Sequence, residues 1–207
     1  MNNIILRFFV TIIYSKIRLG FARMSLGVFM ALIVIAYPKL INSDFEWIQK
    51  YRQKNDELYY SVIKPHFTLV FPVFDYSDEK SIINHIVKEL RNTKTIKFNV
   101  NHVEINKDAF NEYWHTFLVP DIGSKNIVNL HDKLYSGVLK KELRTDIPFT
   151  PHIGIGNSKN MKLIKKEASR LNSNQINITG LIDCVDICRY EDNDTITTIK
   201  KIKLQKK

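Results

Sequence analysis

Apolar positions along this chain recur at two periods, and the switches between them lay out its elements. Ala31 to Tyr37 reads ALIVIAY, a short β-branched run stopped by Pro38, which predicts a strand buried on both faces. Ser43 and Glu46 have the spacing of a capping box, and Phe45, Ile48 and Tyr51 follow at helical intervals. A second strand, HFTLVFPV, starts at His66 and ends near Pro72. The helix after it places Ile82, Ile83, Ile86, Val87 and Leu90 on one face, and Thr95 to Ile105 alternates as a third strand.

The second half repeats this order. It has a strand over Tyr113 to Val119 and a helix from about Ser124 to Glu142 carrying Ile127, Leu130, Leu134 and Val138. A strand begins at Phe149, and a helix carries Met161, Ile164, Ala168 and Leu171. Two strands, near Ile176 to Cys188 and Thr195 to Leu204, close the chain. The layout is βαβαβ followed by βαβαββ, with no low-complexity linker. That predicts one bilobal α+β body of duplicated βαβαβ halves rather than two independent domains.

Composition adds a hint about partners. The chain has 207 residues, 44% of them hydrophobic, enough for a core of ordinary size. A net charge of +10 suggests an anionic partner such as nucleic acid or a phospholipid surface. The charge is diffuse, however: outside the run Lys200 to Lys207, basic residues alternate with acids and read as solvated surface. That run has the composition of a frayed terminus that can also touch phosphates. Cys184 and Cys188 fall in one expected strand, where a rise of about 3.3 Å per residue holds them too far apart for a disulfide. They read as free thiols, with no zinc-ligand set around them, in a cytosolic redox setting.

Residues 1–29 are apolar, contain no acids, and carry Arg7, Lys16, Arg18 and Arg23. A membrane span wants about 20 apolar residues, yet the longest uncharged run is Met24 to Pro38, and its latter half is the first strand. A secretory signal would have an overlong basic segment and no small-x-small cleavage site. The segment therefore reads as a start upstream of the true one at Met24 or Met30, as a membrane or surface anchor, or as an ordered extension.

Aligning the halves element by element sets PHFTLVFP (Pro65 to Pro72) against PHIGIGNS (Pro151 to Ser158), each on the second strand of its half. A pseudo-two-fold axis would bring these strands together. On the first, His66, Thr68 and Val70 share one face while Phe67, Leu69 and Phe71 share the other and should pack under helices. On the second, Ile153 and Ile155 point to the core. His152, Gly154 and Gly156 line the opposite face, and the glycines leave room for a ligand. Two histidines on one groove suit phosphodiester displacement, in which one group takes a proton from the attacking oxygen and another gives one to the leaving oxygen. Imidazole, with an ordinary pKa of about 6.5, performs either step near neutrality. The Thr68 hydroxyl is placed to donate to a non-bridging oxygen.

These paired motifs, HFTL and HIGI, each after proline, resemble those of the two-histidine phosphoesterase superfamily, and within it the bacterial 2′-5′ RNA ligase and cyclic phosphodiesterase group. The resemblance covers about residues 30 to 204. It implies two antiparallel sheets forming a central groove flanked by helices, in a single domain over 30–207. It also implies an enzyme without metal or other cofactor that acts on 2′,3′-cyclic phosphates or on 2′-5′ links in RNA. By the family pattern His152 activates water in hydrolysis and His66 protonates the leaving oxygen, and the roles exchange in ligation. The second motif departs from that pattern: Gly154 stands where the family has Thr or Ser. Half of the hydroxyl clamp is missing, to be replaced by a backbone N–H or by a side chain such as Ser158.

Further candidates are weaker. His102 and His115 fall on strands and can line the groove, whereas His85 and His131 lie on helices with exposed positions expected. Tyr113 and Trp114 offer aromatic faces for stacking on a base, or for packing the sheet. The expected partner is RNA or a nucleotide with a cyclic or 2′-5′ phosphate, and the expected state is a cytoplasmic monomer, with membrane contact if residues 1–29 act as an anchor. The competing class is a non-catalytic RNA or nucleotide binding module that keeps the groove and has lost the chemistry at Gly154.

Overall fold

The computed structural model describes residues 30–74, 78–109, 111–191 and 194–206. Residues 1–29, with the anchor or early-start reading attached to them, lie outside the described residues. Among the described residues no helix is long and apolar enough to cross a membrane.

The chain runs β1 (Met30–Ala36), β2 (Lys39–Leu40), α1 (Asn42–Asn55), β3 (Phe67–Val73), α2 (Glu79–Leu90), β4 (Ile96–Lys107), β5 (Trp114–Ile122) and α3 (Ser124–Leu134). A 3₁₀ segment (Gly137–Glu142) precedes β6 (Ile153–Ser158), α4 (Met161–Ser173), β7 (Ile178–Ile182), β8 (Cys184–Glu191) and β9 (Ile196–Lys203). The strands form two antiparallel sheets, β3-β1-β8-β9 and β2-β7-β4-β5-β6. The fold is α+β, as the sequence implies. Taken from the opposite edge, the second sheet is β6-β5-β4-β7-β2. Each histidine-preceded strand, β3 or β6, is therefore an edge strand paired to the strand that opens its repeat, β1 or β5.

The sheets do not coincide with the halves of the sequence. The first takes β1 and β3 from the front of the chain and β8 and β9 from its end, while the middle of the chain builds most of the second. The single strand expected over Ile176 to Cys188 is two, β7 and β8, joined at Asp183 and lying in different sheets. Buried apolar positions recur on both sides of Asp183, at Ile178 and Ile182 before it and at Val185 and Ile187 after it, so the sequence pattern carries no mark of the switch. Likewise β3 and β6 are not neighbours in one sheet; they belong to separate sheets and meet across the space between them.

Three local expectations are corrected. Helix α1 starts at Asn42, and its N-cap Ile41 has no side-chain cap, so Ser43 and Glu46 form no capping box. Helix α3 ends at Leu134 instead of running to Glu142: Gly137 adopts φ 55°, a left-handed conformation that breaks the helical path. Val138, expected on the apolar face, is exposed in the 3₁₀ segment that follows.

Strand β1 is buried on both faces, as its composition implies. Leu32, Val34 and Ala36 join the main core with Ile82, Ile86, Leu90, Ile127 and Leu134 from α2 and α3. Ile33 and Ile35 point the other way, into a smaller cluster with Ile63 and Cys188. That second face is the wall on which the site is built.

Candidate active site

A cavity of about 390 Å³ opens between the inner faces of the two sheets. Ile33, Ile35, Thr68 and Phe71 from the first sheet meet His115, Phe117, Gly154 and Gly156 from the second, and His66 and His152 both line it. The two histidines expected from the repeat therefore share one site.

Their local geometry is the same. His66 precedes β3 and its Nδ1 lies 2.8 Å from the carbonyl oxygen of Lys64; His152 precedes β6 and its Nδ1 lies 2.7 Å from that of Thr150. Each contact reaches back across a proline, Pro65 or Pro151, whose fixed φ presents the preceding carbonyl to the ring. A carbonyl only accepts, so Nδ1 is the N–H donor and the neutral ring keeps its lone pair on Nε2. Nothing among the described residues hydrogen-bonds either Nε2.

Burial pushes both imidazoles down from their ordinary value to about 4, against the opposing pull of the carbonyl contacts. The charges of Arg52 and His152 lower His66 further, and His115 lowers His152. The rings are walled by protein on most sides, yet both retain intermediate exposure toward the cavity. At neutral pH the site thus holds two neutral imidazoles.

An aromatic column holds His152 in place. Its ring stacks on Phe117, with centroids 3.6 Å apart at 15°; Phe117 in turn stacks on His115 at 5.7 Å, and His115 on Tyr59 at 6.3 Å. His115, buried, also meets Asp108 through Nε2 at 2.8 Å. His66 is flanked edge-on by Tyr37 at 6.3 Å.

Thr68 lines the cavity, and its hydroxyl has no protein partner among the described residues. The two glycines differ. A Cβ built on Gly154 would meet nothing within 4 Å, and its φ is not positive, so this position is open space facing the cavity. A Cβ on Gly156 would lie 3.1 Å from the Asn55 carbonyl oxygen and 3.3 Å from Asn55 Cβ. The expectation that both glycines make room for ligand is corrected at Gly156, whose missing side chain admits the end of α1.

The reason α1 comes so close is a network that sequence reasoning missed. Arg52, 1% exposed, gives Nε to Asp56 Oδ2 at 2.9 Å, Nη1 to Gln49 at 3.0 Å, and Nη2 to the Tyr59 carbonyl at 3.0 Å. Asp56 accepts from the Tyr59 backbone N–H and from the Asn157 side chain. Arg52 lines the cavity, but its donors are committed to the loop that leads to His66, and Asn157 ties that loop to the strand after His152. An Arg and an Asp at i, i+4 read from sequence as a solvated helical pair, and nothing in their spacing marks their burial.

Phe71 also departs from expectation. Leu32 pairs with Val73, Val34 with Val70, and Ile35 with Thr68, so β3 carries an extra residue at each of two steps. These bulges interrupt the alternation. Leu69 and Val70 are both buried, Val70 does not share the groove face with Thr68, and Phe71 turns from the core into the cavity at 38% exposure.

Other expected positions lie elsewhere. Tyr113 and Ser158 are outside the cavity wall: Lys159 sits 5.4 Å over the Tyr113 ring, and the Ser158 hydroxyl accepts from the Asn160 backbone N–H. Trp114 is covered by Lys107. His102 is also off the wall, paired with Glu104. His131 is buried rather than exposed, stacked on Phe149 at 3.7 Å, and His85 bonds the Leu134 carbonyl. Cys184 and Cys188 are free thiols. Among the described residues no three of His, Cys, Asp and Glu converge as metal ligands.

Known structures repeat this architecture. Escherichia coli LigT in its apo form aligns with a TM-score of 0.50 at 15% identity, over 85% of this chain and 98% of that one. LigT complexed with 3′-AMP gives 0.52 at 14%, over 86% and 99%. Usb1 of Kluyveromyces marxianus gives 0.50 at 8%, over 82% and 97%. At such identities the likeness is one of fold. No curated protein matches the sequence. The family model described as the 2′-5′ RNA ligase superfamily matches residues 42–194, a span that contains both histidine motifs, and the chain belongs to that family.

Proposed function

We propose that this protein is a phosphoesterase that opens 2′,3′-cyclic phosphates, or makes and breaks 2′-5′ links in RNA, by acid-base catalysis between His66 and His152 without a metal. The observation that carries the reading is the matched pair of Nδ1–carbonyl contacts, which leaves two Nε2 atoms on one cavity without a hydrogen-bond partner among the described residues. In hydrolysis His152 Nε2 takes a proton from water as its oxygen attacks phosphorus. The bond to the ribose oxygen on the opposite side breaks, and that oxygen receives a proton from His66 Nε2. Thr68 donates to a non-bridging oxygen as its charge grows. Ligation runs the same steps backward with the roles exchanged.

The low affinity of both histidines for protons fits this cycle. A bound phosphate anion raises the affinity of the nearby imidazoles, so the acid gains its proton as substrate enters. LigT, whose fold this chain shares, has been crystallised with 3′-AMP.

The test is a panel of nucleoside 2′,3′-cyclic monophosphates with and without EDTA. His66→Ala and His152→Ala should each lose about 10² to 10⁴ in rate, with EDTA harmless. Full activity in either variant, or its loss in EDTA, would overturn the reading.

A further inference from the structure

We propose that Lys201 and Lys203, on the groove-facing side of β9, hold the sugar-phosphate backbone of an RNA chain whose cyclic-phosphate end lies between the histidines. The substrate is then an RNA end rather than a free nucleotide, which rests on the phosphoesterase reading above. The lysine run that closes the sequence is built into the fold through Gln205 and is not a frayed tail. Lys200, Lys201 and Lys203 belong to β9. Beyond them the Gln205 backbone N–H donates to the Thr93 carbonyl at 2.9 Å, and its carbonyl accepts from the Thr95 N–H at 2.8 Å.

Strand register divides these lysines between two faces, because residues paired across a sheet point to the same side. Toward the cavity, one row crosses β3, β1, β8 and β9 as Thr68, Ile35, Asp186 and Lys201. Lys203 pairs with Cys184, two residues from Asp186 and so on the same side. Lys200 pairs with Ile187, a residue of the main core, and belongs to the opposite side. The cavity itself reaches β9, where Ile196 lines it. The Lys201 ammonium lies 3.6 Å from the buried Asp186 carboxylate, yet its side chain is 60% exposed. Lys203 makes no ion pair among the described residues, and β9 contains no acid.

The occupant follows from the direction of the reaction. His66 protonates an oxygen of the ribose that carries the phosphate. In an RNA with a cyclic-phosphate end, the rest of the chain therefore leaves that ribose on the His66 side, along the sheet β3-β1-β8-β9. With adjacent strands about 4.8 Å apart, Lys201 stands about 14 Å from Thr68 across that sheet. A cyclic mononucleotide has one phosphate, which the histidines occupy. A polynucleotide carries one at every residue, and a lysine neutralises such a phosphate as a point charge.

The experiment compares a short oligoribonucleotide ending in a 2′,3′-cyclic phosphate with the matching cyclic mononucleotide, using the full chain over a series of salt concentrations. Each lysine-phosphate contact on a single strand steepens the fall of log kcat/KM with log salt by about 0.7, or about threefold between about 50 and 200 mM. Lys201→Gln and Lys203→Gln should each flatten the oligonucleotide slope by about that amount. Together they should lower oligonucleotide turnover by about tenfold relative to the mononucleotide at low salt, and Lys201→Arg should keep the wild-type slope. Lys200→Gln, on the other face, should not alter the slope. A slope unchanged in both groove-side variants, or flattened as much by Lys200→Gln, would overturn the proposal while mononucleotide turnover upholds the phosphoesterase reading. If neither substrate is turned over, fluorescence anisotropy of a single-stranded oligoribonucleotide replaces kinetics. A binding slope that flattens in Lys201→Gln then supports the surface although the catalytic reading has failed; no binding, or a slope indifferent to the variants, overturns it. Binding to phosphatidylserine vesicles that the variants abolish, with oligonucleotide binding intact, would assign the surface to a membrane and overturn it too.

Discussion

Replacing Gly154 by threonine, with Gly156→Ala as its contrast, separates the two glycines that look alike in the motif HIGIG. A side chain at Gly154 enters open space on an ordinary strand backbone, so no strain accompanies it. Relieving the unfolded-state freedom of a glycine stabilises by about 0.4–1 kcal/mol, which in a domain of this size raises Tm by about 1–4 °C. If the new hydroxyl reaches a phosphate oxygen, a hydrogen bond to a charged group contributes about 1.5–3 kcal/mol. kcat/KM should then rise about tenfold or more. Gly156→Ala has the opposite sign. Its Cβ would press on the Asn55 carbonyl at 3.1 Å, and α1 has little freedom to retreat: Asn55 bonds the Tyr51 carbonyl, and Asp56 is held by Arg52 and Asn157. Overpacking of this kind costs about 1–3 kcal/mol, or about 2–12 °C in Tm. Thermal denaturation and cyclic-phosphate hydrolysis on the same preparations decide. A destabilised, inactive Gly154→Thr beside a neutral Gly156→Ala would show that the roles of the two glycines are reversed.

Three further outcomes are expected. Because burial lowers both His66 and His152 to about 4, the free enzyme at neutral pH lacks the protonated partner. kcat/KM should therefore increase as pH falls from 8 toward 5, by up to about tenfold per unit, and the kcat profile should sit at higher pH because bound phosphate favours imidazolium. A kcat/KM optimum above pH 7 would refute the burial argument. Thr68→Val removes a hydroxyl that has no partner among the described residues, so it should leave Tm nearly unchanged while kcat drops by about 10² to 10³; full activity would make that hydroxyl a bystander. Asp56→Ala leaves the buried Arg52 charge unpaired, a change that costs about 3–5 kcal/mol, and should lower Tm by about 6–20 °C; a shift of under about 3 °C would show that water or Gln49 compensates.

Periodicity and repetition made much of this protein legible from its sequence. Local physics sets β1, the apolar faces of α2 and α4, and the placement of Ile153 and Ile155 in the core, because burial on one face imposes a period whatever the surroundings. The repeated proline-histidine strand starts identified the two imidazoles of the cavity, since a duplicated position implies a duplicated place in the fold. Long-range packing decided the rest. Which sheet receives β7 and β8 depends on pairing partners far away in the chain. The bulges that turn Phe71 outward depend on the β1 register, and the burial of Arg52 depends on Asn157, 105 residues later. Gly154 and Gly156 are one letter repeated in the sequence; only the approach of α1 makes the second a packing contact and leaves the first facing the cavity, because a missing Cβ has meaning only through what stands in its place.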